Sequence, residues 1–237
     1  MRQLSPKEVA LIICFAALYA ATSRIPLFQV IGAAGKSISA GTIMSLVAGL
    51  ILGSLMGGLA TLVGGLVGIS INLSQGALGP FSFVPHMAAA MFVGALKDKR
   101  QTICVFGYLF ALIFFAFFPV MGPFWVYPQM LWFHIISLIV IISPLQVRAI
   151  NYLSDNDATK LTFGVAISFF TSTLFSHLIG STVYTVMNMG NLDLSYWLGV
   201  WQWVTFIYPI ERVMITAAAT LIAVPVLKTL RIYGLKV

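Results

Sequence analysis

Charged residues are scarce in this sequence of 237 residues. Asp, Glu, Lys and Arg together make up 8% of it, and only six residues are acidic, whereas soluble domains carry about 25% charged residues. Hydrophobic residues make up 60% of the chain, and the mean hydropathy is +1.01. This composition excludes an ordinary soluble domain and predicts an integral membrane protein.

Cysteines and known catalytic motifs are also few or missing. The two cysteines, Cys14 and Cys104, lie far apart in apolar runs, so we interpret both as buried thiols. The sequence contains no HExxH or GxSxG, and its three histidines are separated by whole apolar runs. The sequence therefore predicts neither an enzyme nor a bound metal or cofactor, although a metal site formed by converging helices stays open.

One short segment resembles the end of a nucleotide-binding loop. Gly32-Ala-Ala-Gly-Lys-Ser37 contains the required GKS, but Val30 stands where that motif has its first glycine. No strand of a soluble fold precedes the segment. We therefore expect no ATP binding by this chain itself.

Eight apolar runs divide the chain. A membrane-spanning helix needs about 20 mainly apolar residues, with a range of about 17–25. By this measure the sequence predicts a single transmembrane domain, residues 1–237, with the all-α fold of an integral membrane protein of about eight helices. The runs are 8–28, 41–56, 57–75, 82–96, 102–121, 127–147, 161–187 and 203–229.

The basic residues between these runs predict the orientation. The net charge is +7, and Lys and Arg favour cytoplasmic loops. If eight helices start from a cytoplasmic N-terminus, Arg24 and Lys36 are the only basic loop residues on the outer side. Both termini are then cytoplasmic, and the basic excess requires no nucleic-acid partner. The basic residues predicted inside are Arg2, Lys7, Lys97, Lys99, Arg100, Arg148, Lys160, Lys228, Arg231 and Lys236.

Glu211 and Arg212 stand inside the last apolar run. A charged side chain near the centre of a membrane helix costs at least about 2.5–3.5 kcal/mol, so it usually faces protein or a water-filled cavity. We therefore predict a substrate site here, in the outer half of the helix. Two other interpretations stay open: an interface anchor, or an internal ion pair that holds two helices together.

A polar stripe on the seventh run is the expected partner of this charged pair. Thr173, His177, Ser181 and Tyr184 recur at spacings of four, four and three, which places them on one helix face. A polar face is costly in lipid and is expected to face protein or a cavity. The other residues predicted to bind substrate are His86, Trp201, Trp203, Tyr208 and Glu211. An interfacial aromatic belt would also explain the tryptophans.

Small residues in the first run predict close helix packing. Ala16 and Ala20 are four residues apart, and so are Ala17 and Ala21. Small residues at this spacing allow another helix to approach closely in lipid. That helix belongs either to this chain or to another subunit.

The segment from the end of the first run to the second run is the only long polar outside segment in the first half of the chain. It contains Arg24, Gln29 and Lys36. Loops of this kind act as gates over a binding site. An ordinary solvated connection explains the same composition.

Several stretches together resemble one family. The alanine-rich first run is followed by LILGSLMGG at 50–58, FSFVPHMAAAMFVGAL at 81–96, FFTSTLFSHLIGSTVY at 169–184 and YPIER at 208–212. Their order is similar to that in the substrate-binding S components of energy-coupling factor (ECF) vitamin transporters. The similarity covers roughly residues 7–96 and 161–230. The family core has six helices, so the two runs at 102–147 would be an inserted pair in a divergent branch.

The resemblance implies a function for each of these parts. It implies capture of a vitamin-like nutrient from outside a prokaryotic cell, across the plasma (inner) membrane, with no catalysis by this chain. It further implies gating by the loop of Arg24, Gln29 and Lys36. The nickel and cobalt branch has a histidine immediately after the first methionine; Arg2 stands there, which disfavours a metal substrate.

The resemblance also implies partner proteins. The Ala16, Ala17, Ala20 and Ala21 surface would dock on a transmembrane coupling subunit that two ATPase subunits drive. Two alternatives from other classes stay open. The chain is then either an accessory subunit of a membrane complex, whose polar stripe and Glu211 bond to a neighbour, or a membrane-embedded enzyme whose histidines converge.

Overall fold

The computed structural model describes residues 5–32, 35–71 and 78–233. Arg2, Lys236, the side chain of Lys7 and the end of the third predicted run, residues 72–75, lie outside the described residues.

Helices make up most of the described chain, as the composition predicts. A small antiparallel hairpin, β1 (Pro26–Gln29) and β2 (Ser37–Ser39), follows the first helix. Short 3-10 turns at Gly79–Phe81 and Pro128–Leu131 precede two of the helices. The helices are α1 (Pro6–Thr22), α2 (Gly41–Leu52), α3 (Ser54–Ile71), α4 (Phe83–Lys97), α5 (Gln101–Ala116), α6 (Pro123–Val126), α7 (Trp132–Ile142), α8 (Pro144–Tyr152), α9 (Ala158–Met187) and α10 (Leu194–Ile232).

Several of these helices are suited to a membrane. Within the described ranges, four segments are long and apolar enough to cross one: α3, α4 with its preceding turn, α9 and α10. A fifth span results if Pro128–Ile142 and Pro144–Tyr152, which meet at 66°, count as one broken span. The apolar helices α1, α2 and α5 are shorter. The structure therefore fits a membrane protein with four or five candidate spans.

Some predicted boundaries are wrong. The first run was expected to continue to residue 28, but α1 ends at Thr22 and residues 26–29 form β1. The break between the second and third runs lies at Gly53, whose φ of 83° is in the left-handed region that favours glycine. Cys14 is exposed and only Cys104 is buried.

The last two helices begin earlier than the apolar runs predict, because each starts at an aspartate cap. The Asp157 carboxylate accepts hydrogen bonds from the backbone N–H groups of Thr159 and Lys160, and the Asp193 carboxylate accepts one from Ser195. Aspartate at this position satisfies N–H groups that have no partner within the helix. As a result α10 has 39 residues and is about 58 Å long at 1.5 Å per residue.

Six helices pack around one another and form the centre of the molecule. α1 packs on α2 and α3, α2 on α3 and α4, α4 on α9, and α9 on α10, which returns to α2. Close approach depends on small residues: a Cβ added at Gly49 of α2 would lie 2.1 Å from the carbonyl oxygen of Ala90 in α4. α5, α7 and α8 pack mainly against α9 and one another, on the outside of this group.

Candidate functional site

A cavity of about 190 Å³ opens at one end of the six central helices. It lies where α1, α3 and α9 end and where α4 begins, and the first half of α10 lines it. The hairpin forms part of the wall through residues 29–31 and 37–39. The polar side chains that line it are Tyr19, Ser23, Gln29, Ser37, Ser39, Ser82, His86, Ser176, His177, Ser181, Tyr184, Tyr208, Glu211 and Arg212.

Two tyrosines attach the hairpin loop to the helices. The hydroxyls of Tyr184 on α9 and Tyr196 on α10 lie 2.6 Å apart. Both lie within hydrogen-bond distance of the Gly32 carbonyl oxygen, at 3.0 Å and 3.3 Å. The loop after β1 is therefore held against the ends of the two longest helices.

His86 is held by hydrogen bonds at both ring nitrogens. Its Nδ1 lies 2.7 Å from the Tyr19 hydroxyl of α1, and its Nε2 lies 2.8 Å from the Thr42 hydroxyl of α2. Neither nitrogen is left for a ligand unless one of these bonds breaks. His86 therefore lines the cavity but orients Tyr19, which contributes a ring and a hydroxyl to the wall.

His177 belongs to a stack of three rings. Its ring lies parallel to that of Tyr208, with centroids 4.6 Å apart and 4° between the planes. His134 of α7 stacks on both, and its Nε2 lies 3.1 Å from His177 Nδ1. The Tyr208 hydroxyl donates to the Met130 carbonyl. The described contacts leave His177 Nε2 available to a ligand.

Glu211 and Arg212 are both buried and both line the cavity. Their residues are 8% and 4% exposed. Arg212 Nη2 donates to Glu211 Oε2 at 3.4 Å, which is a long bond for a charged pair. Arg212 Nε is buried and has no hydrogen-bond partner among the described residues. The guanidinium therefore keeps unused donors.

Two residues predicted to bind substrate lie away from the cavity. The Thr173 hydroxyl is buried and bonds to the Phe169 carbonyl and to the Thr216 hydroxyl, so it joins α9 to α10. Trp203 is 67% exposed on the outer face of α10. Trp201, two residues earlier, is 2% exposed, lines the cavity, and donates its indole N–H to the Met121 carbonyl.

The predicted gating and docking residues are also divided by the fold. Of the three loop residues, Gln29 lines the cavity, whereas Arg24 and Lys36 are not part of the described wall. On α1, Ala16 is buried against Gly64 of α3. Ala20 is half-buried, and Ala17 and Ala21 are exposed. One alanine face thus packs internally, and the other is free.

The cavity contains residues that sequence reasoning did not assign to the site, chiefly Tyr19, Ser176 and Arg212. Arg212 stands four residues after Tyr208 and therefore lies on nearly the same helix face. This spacing alone could have predicted that Arg212 lines the cavity. Tyr19 had no such signal, because its role depends on His86, 67 residues away.

Comparisons with protein-family models, with curated proteins and with solved structures give no match to this chain. The described residues contain no group of three or more His, Cys, Asp or Glu side chains that would hold a metal ion. The geometry of the cavity is therefore the main basis for a functional conclusion.

Proposed function

We propose that this chain is the substrate-capture subunit of an ATP-driven uptake transporter of the ECF type, and that it binds a small vitamin-like nutrient on the outer side of the membrane. One observation carries the proposal: a cavity lined by the buried pair Glu211 and Arg212 and by His177 in an otherwise apolar helical protein. Buried ionisable groups are costly in membrane proteins and mark ligand pathways by default.

The helix arrangement supports this assignment. Six helices, α1–α4, α9 and α10, pack around one another, and α5 and α7 lie outside them. The resemblance to S components implies a six-helix core with an inserted pair at residues 102–147. The cavity is lined by α1, α3, α4, α9, α10 and the hairpin, and α5 and α7 contribute no residue to the described wall.

We further propose eight membrane spans, cytoplasmic termini and a location in the plasma membrane of a prokaryote. The four long candidate spans, the bent pair and the three shorter apolar helices correspond to the eight apolar runs. In this orientation the cavity opens outside, because it lies at the end where α1 terminates and α10 begins. The cluster of Lys97, Lys99 and Arg100 then faces the cytoplasm.

Energy for uptake would come from partners. This chain lacks a phosphate-binding loop, so two ATPase subunits and a transmembrane coupling subunit are the proposed partners. Ala17 and Ala21 provide an exposed small-residue face on α1 on which a helix of the coupling subunit would pack closely.

A binding experiment tests the capture function. The purified protein in detergent is stripped of ligand and offered a panel of vitamins, with thermal unfolding as the measurement, and mass spectrometry identifies any compound that co-purifies. We expect one compound to raise the unfolding temperature. Glu211→Ala and His177→Ala should reduce this shift, whereas Val213→Ala, at an exposed position of the same helix, should retain it. If no compound binds the wild-type protein, the capture function is wrong.

Co-purification from native membranes separates this function from the accessory-subunit alternative. A complex with a coupling subunit and two ATPases is the expected result, and Ala17→Leu with Ala21→Leu should weaken it. A stable complex with an unrelated membrane enzyme, without a bound small molecule, would favour the accessory role. The inward position of Glu211 and His177 argues against that role, because these side chains face a cavity of their own chain.

A further inference from the structure

The charged residues in the cavity wall identify the kind of ligand that it would accept. Among the described lining residues, Glu211 is the only carboxylate, and Arg212 is the only Lys or Arg. Their formal charges cancel. A ligand with a net charge would leave one unbalanced charge in a buried site, which is strongly unfavourable. A ligand without net charge keeps the balance.

Glu211 and Arg212 do not satisfy each other's hydrogen-bonding capacity. They are adjacent on one helix, and neighbours in sequence project in directions about 100° apart. Their contact is a single bond of 3.4 Å instead of the paired bonds that a guanidinium and a carboxylate form when they face each other. A guanidinium has five N–H donors, and Nε in particular has no partner among the described residues.

Because both residues line the cavity, the pair provides a hydrogen-bond donor and a hydrogen-bond acceptor side by side. An amide edge carries the complementary set: a carbonyl oxygen, which accepts from Arg212, next to an N–H group, which donates to Glu211. Buried polar groups select strongly for ligands that satisfy them, because a ligand without the matching group leaves them unpaired. A cyclic amide or ureide fits both atoms without adding charge.

The shape of the cavity favours a flat and small ligand. Its walls include the ring of His177, which is stacked on Tyr208, and the ring of Tyr19, and aromatic walls favour planar ring systems. The volume of about 190 Å³ lies below the roughly 300–1,000 Å³ of sites for drug-sized ligands. A single ring is therefore the expected size of the part that enters.

We propose that the cavity recognises an uncharged, planar heterocycle through an amide or ureide edge, with Arg212 donating to the carbonyl oxygen and Glu211 accepting from the adjacent N–H. This inference rests on the proposed capture function and specifies the class of its substrate. It assigns the pair to ligand recognition and replaces the interpretation of an internal ion pair.

Matched single-ring probes test the inference on the purified full-length chain. Uracil and nicotinamide carry the edge, 1,3-dimethyluracil and N,N-dimethylnicotinamide have lost its N–H, and nicotinate replaces the amide with a carboxylate. The measurement is the dissociation constant from ligand-dependent thermal stabilisation. We expect uracil or nicotinamide to bind at least about tenfold more tightly than its dimethyl derivative and than nicotinate, since losing one buried hydrogen bond has roughly this effect.

Two variants test the preference for nicotinamide over nicotinate, which would not change if Glu211 and Arg212 had a purely structural role. Glu211→Gln leaves the positive charge of Arg212 without a counter-charge. The binding preference should therefore shift by about tenfold or more from nicotinamide towards nicotinate. Arg212→Lys retains the charge but loses the planar fork, so binding of the amide should weaken without that shift in preference. Val213→Ala should behave as wild type, and Arg212→Lys serves as the test if Glu211→Gln does not fold.

The outcomes separate this inference from the capture function. If wild-type protein binds thiamine or another vitamin without an amide or ureide edge but neither edge-bearing probe, capture stands and the amide-edge inference is wrong. Preference of the wild type for nicotinate, for the dimethyl derivatives or for a zwitterion such as phenylalanine would also overturn it, as would an unchanged preference in Glu211→Gln. If no vitamin or probe binds and no compound co-purifies, both proposals fall.

Discussion

His134 Nε2 and His177 Nδ1 lie 3.1 Å apart, with 18° between their ring planes. The contact joins α7, in the pair of apolar runs at 102–147, to α9 in the central group. One of the two nitrogens must donate and the other must accept, so the protonation of His177 Nδ1 is coupled to that of His134 Nε2. The Tyr108 hydroxyl, which donates to the His134 carbonyl, holds α7 in position from α5. α5 and α7 therefore contact a cavity-lining histidine although they contribute no residue to the described wall.

Replacing His134 should destabilise the fold and weaken ligand binding. His134→Phe keeps a flat ring in the stack but leaves His177 Nδ1 buried without its partner, which costs about 1–3 kcal/mol. His177 would also be free to present either nitrogen to the cavity. Thermal or denaturant unfolding in detergent measures the first effect, and ligand titration measures the second.

Ile135→Val is the matched control, because Ile135 is the next residue on α7 and is 48% exposed. It should change neither quantity. If His134→Phe retained both wild-type stability and wild-type affinity, the proposed coupling between His134 and His177 would be wrong.

The two hydrogen bonds that His86 makes with Tyr19 and Thr42 join three helices, and their contributions to stability should be cooperative. His86→Leu removes both bonds and leaves two hydroxyls unpaired, so its unfolding free energy should fall by more than that of Thr42→Val, which removes one. Each unpaired buried group costs about 1–3 kcal/mol. A double-mutant cycle of Tyr19→Phe and Thr42→Val should be non-additive, because both act through one imidazole.

A different result would assign His86 another role. If His86→Leu lost ligand affinity while stability stayed unchanged, His86 would contact the ligand directly. Additive effects in the cycle would mean that the two hydrogen bonds are independent.

Much of the site on the two long helices was predictable, because helix periodicity is a local property. His177, Ser181 and Tyr184 share a face by spacing alone, and the structure places all three at the cavity. Thr173, at the end of the stripe, turns to Thr216, since it lies a full turn deeper, about 6 Å at 1.5 Å per residue. Spacing defines the face of a helix but not where a cavity ends.

The same periodicity explains why Trp203 lies outside the cavity wall and why Arg212 lies within it. At 100° per residue, Trp201 and Trp203 point about 160° apart, so only one of them can face the cavity, whereas Trp201 and Tyr208 differ by about 20°. Arg212 lies about 40° from Tyr208 on the same scale. The contacts of Tyr19 with His86, and of His134 with His177, join distant segments and could not be read from spacing.

The close approach of α2 and α4 should make Gly49 intolerant of any side chain. A Cβ at Gly49 would lie 2.1 Å from the Ala90 carbonyl oxygen, whereas a Cβ at Gly107 of α5 would meet nothing within 4 Å. Gly49→Ala should therefore push the helices apart and lower stability. Gly107→Ala should raise it by about 0.5–1 kcal/mol, because alanine favours a helix over glycine. Unfolding curves of the two variants, measured side by side, check the predicted decrease for Gly49→Ala and the predicted increase for Gly107→Ala.

Trp201 and Trp203 of α10 should differ sharply when truncated. Trp201 is buried and bonds to Met121, so Trp201→Ala should cost about 3–5 kcal/mol, as for other buried aromatic residues. Trp203 is 67% exposed, and Trp203→Ala should affect neither unfolding nor ligand binding. A loss of ligand affinity in Trp203→Ala with full stability would show that Trp203 belongs to the site after all.

The proposed orientation assigns the two loops that flank α9 to opposite sides of the membrane. Ser154 and Asn191 are both exposed, so a cysteine at either position should be reactive wherever reagent reaches it. In intact cells a membrane-impermeant maleimide should label Asn191→Cys, and it should label Ser154→Cys only after the membrane is opened. Both variants are made in a chain with Cys14 and Cys104 replaced by serine, which removes the native thiols. Labelling of Ser154→Cys in intact cells would invert the topology, and the cavity, which opens at the same end of α9 as Asn191, would then face the cytoplasm and be unsuited to uptake.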